Sequence, residues 1–167
     1  ITCEFNNSSI HILGYGIDEN SSSLKNLFNK MKQKRVDAIH RMGKKLVQLG
    51  CNIEFQNILE EKNSPGRPHL AIELVKNGFA KDIDDAFNIW IGKGKPGYIK
   101  KWKPQAHEVI NIIHNTGGIA VIAHIGIYKF FLDLKLILEL GLDGIEVYHP
   151  EHSLEYSSTL IEYCNNY

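Results

Sequence analysis

Four of the eight histidines in this chain stand where an imidazole could do chemistry. His11 interrupts the alternating run Ser9-Ile10-His11-Ile12 and must point away from the face its apolar neighbours share. His69 follows Arg67-Pro68 at the start of a helical pattern. His124 ends the apolar run Gly117-Gly118-Ile119-Ala120-Val121-Ile122-Ala123, and His149 ends Ile145-Glu146-Val147-Tyr148. Neutral imidazole is the commonest metal ligand and titrates near neutral pH, so the chemistry on offer is metal binding or proton transfer in a shared cleft. The plainer reading of His124 is a satisfied histidine at the end of a core strand. Histidines without a carboxylate to bridge ions would make a poor multinuclear hydrolytic centre. The remaining four read differently. His40, His107 and His114 lie in helical patterns beside polar neighbours and suit surface or structural roles, while His152, at a helix start, is either a cap or a substrate contact.

Those histidines need elements to position them. Gly117 to His124 reads as a tight turn into a short strand, apolar on both faces, which belongs in the middle of a parallel sheet covered by helices. A helix over Ala106 to Asn115 precedes it; a helix from about Phe130 to Leu140 and the strand Ile145 to Tyr148 follow. That order is a βαβ unit with a right-handed crossover, and it puts His124 and His149 at the same sheet edge. Ile1 to Ile17 alternates around Asn6-Asn7 and reads as a hairpin, with Ile1, Cys3 and Phe5 on one face.

Residues 21 to 100 show helical spacing and no strand signal. Serines 21 to 23 cap a long helix that stops at Gly50, Ile53 to Leu59 suits a short one, and Arg67-Pro68-His69 opens another that stops at Gly78. Asp82 to Ile91 is a further short helix holding Phe87 and Trp90. The loop Gly92 to Tyr98 lacks the Gly-Lys-Ser/Thr ending of a phosphate-binding loop, which leaves a mobile basic loop. Lysines and arginines crowd the long helix from Lys25 to Lys45, as a solvated face or as a nucleic-acid surface. Tyr98, Trp90 and Trp102 are either core residues or base-stacking platforms.

Composition bounds the answer. Apolar residues are 43% of 167 and charged residues 23%, enough for a packed core. Nineteen basic residues balance nineteen acidic ones, which argues against a nucleic-acid footprint made by net charge alone. Three widely spaced cysteines suit a reduced, cytoplasmic protein, and no apolar run reaches the length of a membrane span. The chain begins without methionine inside a strand pattern and stops inside a helical one, so it is expected to be an internal segment of a longer protein.

Taken together, Ile10-His11-Ile12-Leu13-Gly14, Gly66-Arg67-Pro68-His69-Leu70-Ala71, Gly92 to Tyr98, Gly117 to His124 and Gly144-Ile145-Glu146-Val147-Tyr148 resemble the PHP (polymerase and histidinol phosphatase) family of metal-dependent phosphoesterases, in its TrpH-like branch. The blocks come in the family's order and span nearly the whole chain. The resemblance implies an α/β fold: part of a distorted (β/α)7 barrel, residues 1–20 and 104–167, interrupted by an all-helical subdomain at residues 21–103. It implies two or three divalent ions, manganese foremost, with His11 and His124 at metal-ligand positions. Arg67 and His69 fall in the insertion's substrate-facing motif, where a guanidinium can grip phosphate bidentately, and Lys95 and Tyr98 join them as substrate-binding candidates. His149 and Glu146 are either groups behind the ligands or strand-end packing. The implied reaction is phosphomonoester hydrolysis on nucleoside 3',5'-bisphosphates or the 5' ends of short RNA, with no membrane and no obligate protein partner.

The departures from the family pattern limit what this segment can do alone. The opening His-x-His strand, the next histidine and aspartate and the closing Asp-x-His have no counterpart here. The bridging glutamate would fall one residue before Ile1, and Glu4 is out of register as a substitute. Ala123-His124-Ile125 stands where Ala-His-Pro is usual. The expectation is that these 167 residues bind metal weakly and turn over nothing. The other readings are a nucleic-acid-binding module working through the lysine-rich helix and the Lys93 to Lys101 stretch, and a degenerate, non-catalytic PHP domain.

Overall fold

The computed structural model describes residues 1–61, 65–128 and 139–166. They form two compact units, one of Ile1–Leu27 with Lys103–Tyr167 and one of Phe28–Trp102. The first is mixed α/β. Strands β1 (Thr2–Phe5), β2 (Ser8–Tyr15), β3 (Ile119–Ile122) and β4 (Gly144–Ile145) lie side by side in that order. The hairpin forms as expected, with positive φ at Asn6 (46°) and Asn7 (61°), the two-residue turn whose twist matches its strands. Its register sets Thr2 opposite His11 and Cys3 opposite Ile10. Cys3, Ile10 and Ile12 therefore enter the core while His11 takes the other face. Burial pushes the Cys3 thiol up to about 12, so that side chain serves as packing.

The sheet is mixed, not parallel. Among the described strands β2 runs antiparallel to both β1 and β3, and β3 pairs with β4 in parallel, because the hairpin supplies the neighbour of β3. β3 is not covered on both faces either: Ala120 and Ile122 are fully buried, but Ile119 is 52% exposed. The strand expected over residues 145 to 148 shrinks to Gly144–Ile145. Glu146 N–H still donates to the Ile122 carbonyl at 2.9 Å, but β3 ends there and the ladder has no further partner. The helix expected over residues 130 to 140, and with it the crossover, falls on residues outside the described set.

Ala106–Asn115 forms helix α5 and Leu154–Asn165 helix α6, following α1 to α4 in chain order. α5 closes its first turn with Glu108 reaching back to the Gln105 N–H at 3.2 Å and buries Val109, Ile110 and Ile113. It ends on Gly117 at φ 77°, with Gly118 N–H returning to the Ile113 carbonyl and Gly117 N–H to that of His114.

In the second unit the long helix α1 (Ser22–Gln48), which starts in the first, stops on Gly50 at φ 90° by the same hydrogen-bond pattern. α2 (Gln56–Glu61), α3 (Arg67–Lys76) and α4 (Ile83–Ala86) follow. The second helix begins later than Ile53, since Cys51 N–H closes α1 and Ile53 N–H bonds back to Cys51. Ile53 and Phe55 reach the core from that turn, beside Ile39, Met42, Leu46, Leu70 and Leu74. The expected helix to Ile91 changes type partway. Asp82 caps α4 by accepting from Asp85 N–H at 2.8 Å, and Phe87–Ile91 then continues as one widened π turn.

Candidate functional site

His11 and His124 come together. Nδ1 of His11 lies 3.0 Å from Nε2 of His124, with the rings edge-on at a centroid distance of 4.9 Å. β2 presents His11 by its alternation. His124 arrives differently: β3 stops at Ile122 and His124 takes a left-handed conformation, φ 33° and ψ 54°, before the short 3-10 turn Ile125–Ile127. A residue with a Cβ pays about 1 kcal/mol or more for that backbone. The Glu146 carboxylate holds it there, accepting from the His124 N–H at 2.6 Å. The strand-end prediction is corrected to a turn two residues beyond the strand.

Where β3 leaves the sheet, β2 keeps half of its hydrogen bonding. The His11 carbonyl still accepts from Ala123 N–H at 2.9 Å, while His11 N–H donates to the Tyr128 hydroxyl at 2.8 Å. Tyr128 thus stands in for the missing strand, with its ring 5.4 Å from that of His124.

His149 lies beside His124 at 5.3 Å between centroids, as the common-edge argument expects. Its Nδ1 accepts from Glu151 N–H at 3.2 Å, leaving Nε2 as the neutral ring's donor. His152 continues the row at 5.5 Å from His149. It is not the helix cap, since Ser153 caps α6; both its ring nitrogens are engaged, Nδ1 donating to the Val147 carbonyl at 2.8 Å and Nε2 accepting from Gly126 N–H at 3.1 Å.

Two facts bear on metal. Burial first, and then the neighbouring His124, hold the His11 imidazole below its usual range, which favours the neutral form that a metal can bind. Nδ1 of His124 is buried without a hydrogen-bond partner among the described residues. Nitrogens 3.0 Å apart, each about 2.1 Å from one ion, would subtend about a right angle there, so the pair fits two neighbouring positions of an octahedral ion. Among the described residues no group of three or more His, Cys, Asp or Glu side chains converges on a metal position. Glu4 lies opposite Ser9, two residues along β2 from His11.

The second unit collects the other candidates. Gly66 N–H donates to Nδ1 of His69 at 3.1 Å, so in the neutral ring Nε2 carries the proton. The Arg67 guanidinium carbon lies over Phe87 at 5.3 Å and over Tyr98 at 5.8 Å, and its Nη1 donates to the Ile91 carbonyl at 3.5 Å. Lys95 is exposed on the loop Gly92 to Tyr98, which folds as a series of hydrogen-bonded turns: Gly92 to Phe87, Lys95 to Gly92, Gly97 to Trp90 and Tyr98 to Lys95. Of the three candidate stacking rings, Trp90 is anchored through its indole N–H to the Phe79 carbonyl at 2.8 Å and Trp102 lies under Lys30 at 4.7 Å.

Sequence reasoning missed Tyr128 and Phe87. Neither carries a spacing signal: Tyr128 acts through one backbone amide, and Phe87 looked like one more core position of a short helix. It also missed the pair of His114 Nε2 and Asp143 Oδ2 at 2.8 Å, where Asp143 additionally accepts from Ala120 N–H at 2.6 Å.

No family model matches the chain. It is 31% identical to a 3',5'-nucleoside bisphosphate phosphatase of Chromobacterium violaceum, over 93% of this chain and 57% of that protein. It is 28% identical to a 5'-3' exoribonuclease of Escherichia coli, over 77% of this chain and 45% of that one. Among solved structures, one of a protein assigned as a metal-dependent phosphoesterase from Bifidobacterium adolescentis superposes with a TM-score of 0.77 at 27% identity, covering 99% of this chain and 61% of the other. The chain spans about half the length of the curated relatives it matches. No helix among the described residues is long and apolar enough to cross a membrane. The chain is therefore similar in sequence to a bacterial nucleoside bisphosphate phosphatase and a bacterial exoribonuclease, and in fold to a protein assigned as a metal-dependent phosphoesterase.

Proposed function

We propose that this chain contributes to a metal-dependent phosphomonoesterase of the PHP type, with nucleoside 3',5'-bisphosphates or the 5' ends of short RNA as substrates. In this reading residues 1–20 and 104–167 are parts of a distorted (β/α)7 barrel and residues 21–103 an insertion in it. His11 and His124 hold a divalent ion, manganese foremost, in a two- or three-ion centre. Glu146 keeps His124 in its turn, and Tyr128 keeps the His11 strand in place. In the insertion Arg67, the Nε2 proton of His69, Lys95 and Tyr98 bind the substrate's phosphate and base. The bound ions would generate hydroxide near neutral pH and neutralise phosphate charge. The free state of all three cysteines supports a reducing, cytoplasmic setting.

The observation that carries the reading is the His11–His124 approach, 3.0 Å between a ring nitrogen on β2 and one in the turn that follows β3, its antiparallel neighbour. The nucleic-acid-module alternative draws on the basic face of α1, but Lys30 lies over Trp102 and Lys45 donates to the Tyr98 carbonyl at 3.5 Å, so part of that face is engaged within its own unit.

Mn2+ titration followed by electron paramagnetic resonance tests the pair. Replacing either His11 or His124 with alanine is expected to weaken binding by about tenfold or more. Affinity unchanged from the unsubstituted protein in both variants would remove the metal assignment. Phosphate release from adenosine 3',5'-bisphosphate by the whole protein, with and without His124→Ala, tests the reaction.

A further inference from the structure

We infer that Phe87 is a positioning residue for Arg67, and that the widened turn Phe87–Ile91 exists to put it there. The inference deepens the phosphate-binding role proposed for Arg67 and rests on it.

Arg67 starts α3, whereas Phe87 and Ile91 end a different helical segment. A regular helix would return the Gly92 N–H to Asn88. Here it reaches one residue further, to the Phe87 carbonyl at 2.8 Å. The extra residue per turn changes the direction in which Phe87 and the last carbonyls project. Two of those carbonyls then find specific donors: Trp90 accepts from Gly97 N–H at 2.8 Å and Ile91 from Arg67 Nη1 at 3.5 Å. The Phe87 ring lies under the guanidinium that makes the second of these contacts. Gly92 is what permits the turn, since a Cβ at that position would sit 2.4 Å from the Phe87 carbonyl oxygen, a backbone atom that cannot swing away.

A guanidinium free to rotate loses conformational entropy when it grips an anion. One whose carbon lies over two rings, and whose Nη1 is tied to a carbonyl, has lost most of that freedom before the anion arrives. Its remaining N–H groups keep the planar, forked geometry that matches two phosphate oxygens. Phe87 offers no polar atom, so its contribution is to orientation. That separates it from Tyr98, whose hydroxyl could also touch substrate.

The test uses inorganic phosphate as probe, followed by nuclear magnetic resonance of the Arg67 Nε–Hε signal and the backbone amides of this chain. The unsubstituted chain is expected to show a saturable shift of the Arg67 signal, and Arg67→Lys to weaken binding by about tenfold or more. Phe87→Leu is expected to weaken it about three- to fivefold and to broaden the Nε–Hε signal, with Phe87→Tyr restoring both. Gly92→Ala should reproduce Phe87→Leu without touching either side chain, and decides the matter if Phe87→Leu loses its dispersed amide spectrum. Phosphate affinity unchanged in Phe87→Leu, or unchanged in a folded Gly92→Ala, while Arg67→Lys loses binding, overturns the positioning role and leaves the role of Arg67 standing. No saturable shift in the unsubstituted chain, or full binding by Arg67→Lys, overturns the role of Arg67 and the inference with it.

Discussion

The ring nitrogens of His11 and His124 stand 3.0 Å apart although 113 residues separate them in the chain. The approach depends on β2 and β3 being antiparallel neighbours, with Ile12 opposite Ile122, so that the residue after His11 and the residue two before His124 share a rung. From that rung the two chains diverge. His11 stays in a strand, and His124 enters a left-handed turn whose amide is bound to Glu146.

The turn makes a prediction that opposes stability and binding. At φ 33° glycine escapes the strain that any side chain meets. His124→Gly is expected to be more stable than His124→Ala by about 1 kcal/mol in urea denaturation, while both lose Mn2+ binding equally. Equal stabilities would mean that the left-handed backbone is not a source of strain here.

Glu146 should be the counterpart of that strain. Its carboxylate makes a charge-assisted bond of 2.6 Å to the His124 amide. Glu146→Ala is expected to lower stability by about 1.5 to 3 kcal/mol, and Glu146→Gln by clearly less, because an amide oxygen still accepts. If the glutamine and alanine variants melt together, the hydrogen bond is not what Glu146 contributes.

Tyr128→Phe removes the acceptor of the His11 N–H and nothing else of size. Because His11 is partly open to water, solvent can take over the bond, so a loss of only about 0.5 to 1 kcal/mol is expected, with His11 N–H exchange much faster. Unchanged exchange protection at His11 would show that the hydroxyl does not secure that amide.

The pH dependence should be visible at the other end of the sheet. The Ala120 amide first, and His114 next, hold the Asp143 carboxyl below its usual range. A carboxyl lowered in the folded state contributes stability that is present above its unfolded value, near pH 4, and lost as pH falls through the folded one. Asp143 and His114 side chains are each 37% exposed, so screening keeps the effect to about 0.5 to 1 kcal/mol. Asp143→Asn is expected to be less stable than the parent at pH 6 by that amount, with the gap smaller at pH 3. A gap that is the same at both values would assign the loss to packing.

How far the structure was legible from the residues follows from the range of each interaction. Gly50 and Gly117 end helices through bonds within one turn, and Asn6-Asn7 turns a hairpin by its own φ angles, so local chemistry suffices. Strand direction is not local. The apolar run at Ile119 to Ile122 reads the same beside an antiparallel neighbour as beside a parallel one, and only the pairing with β2 decides. The turn at His124 depends on a carboxylate 22 residues later, and five residues of π turn scarcely shift a hydrophobic pattern of period 3.6. His11 and His124 were legible as candidates by type and position, but the groups that hold them were not.

Gly43 gives the clearest contest between a local rule and packing. It lies inside α1, where alanine would ordinarily raise helix stability by about 1 kcal/mol. A Cβ at that position would stand 2.2 Å from the ring of Phe55, which is only 3% exposed and packed into the core of the second unit. The ring cannot yield without opening the turn from Cys51 to Phe55 that carries it, and overpacking of this kind costs about 1 to 3 kcal/mol or more. Packing should therefore win: Gly43→Ala is expected to lower stability by about 2 kcal/mol, and Phe55→Leu in the same chain to recover part of the loss by making room. If Gly43→Ala is instead the more stable protein in urea denaturation, Phe55 does not hold the second helix against α1, and the core of that unit is packed differently from the arrangement described.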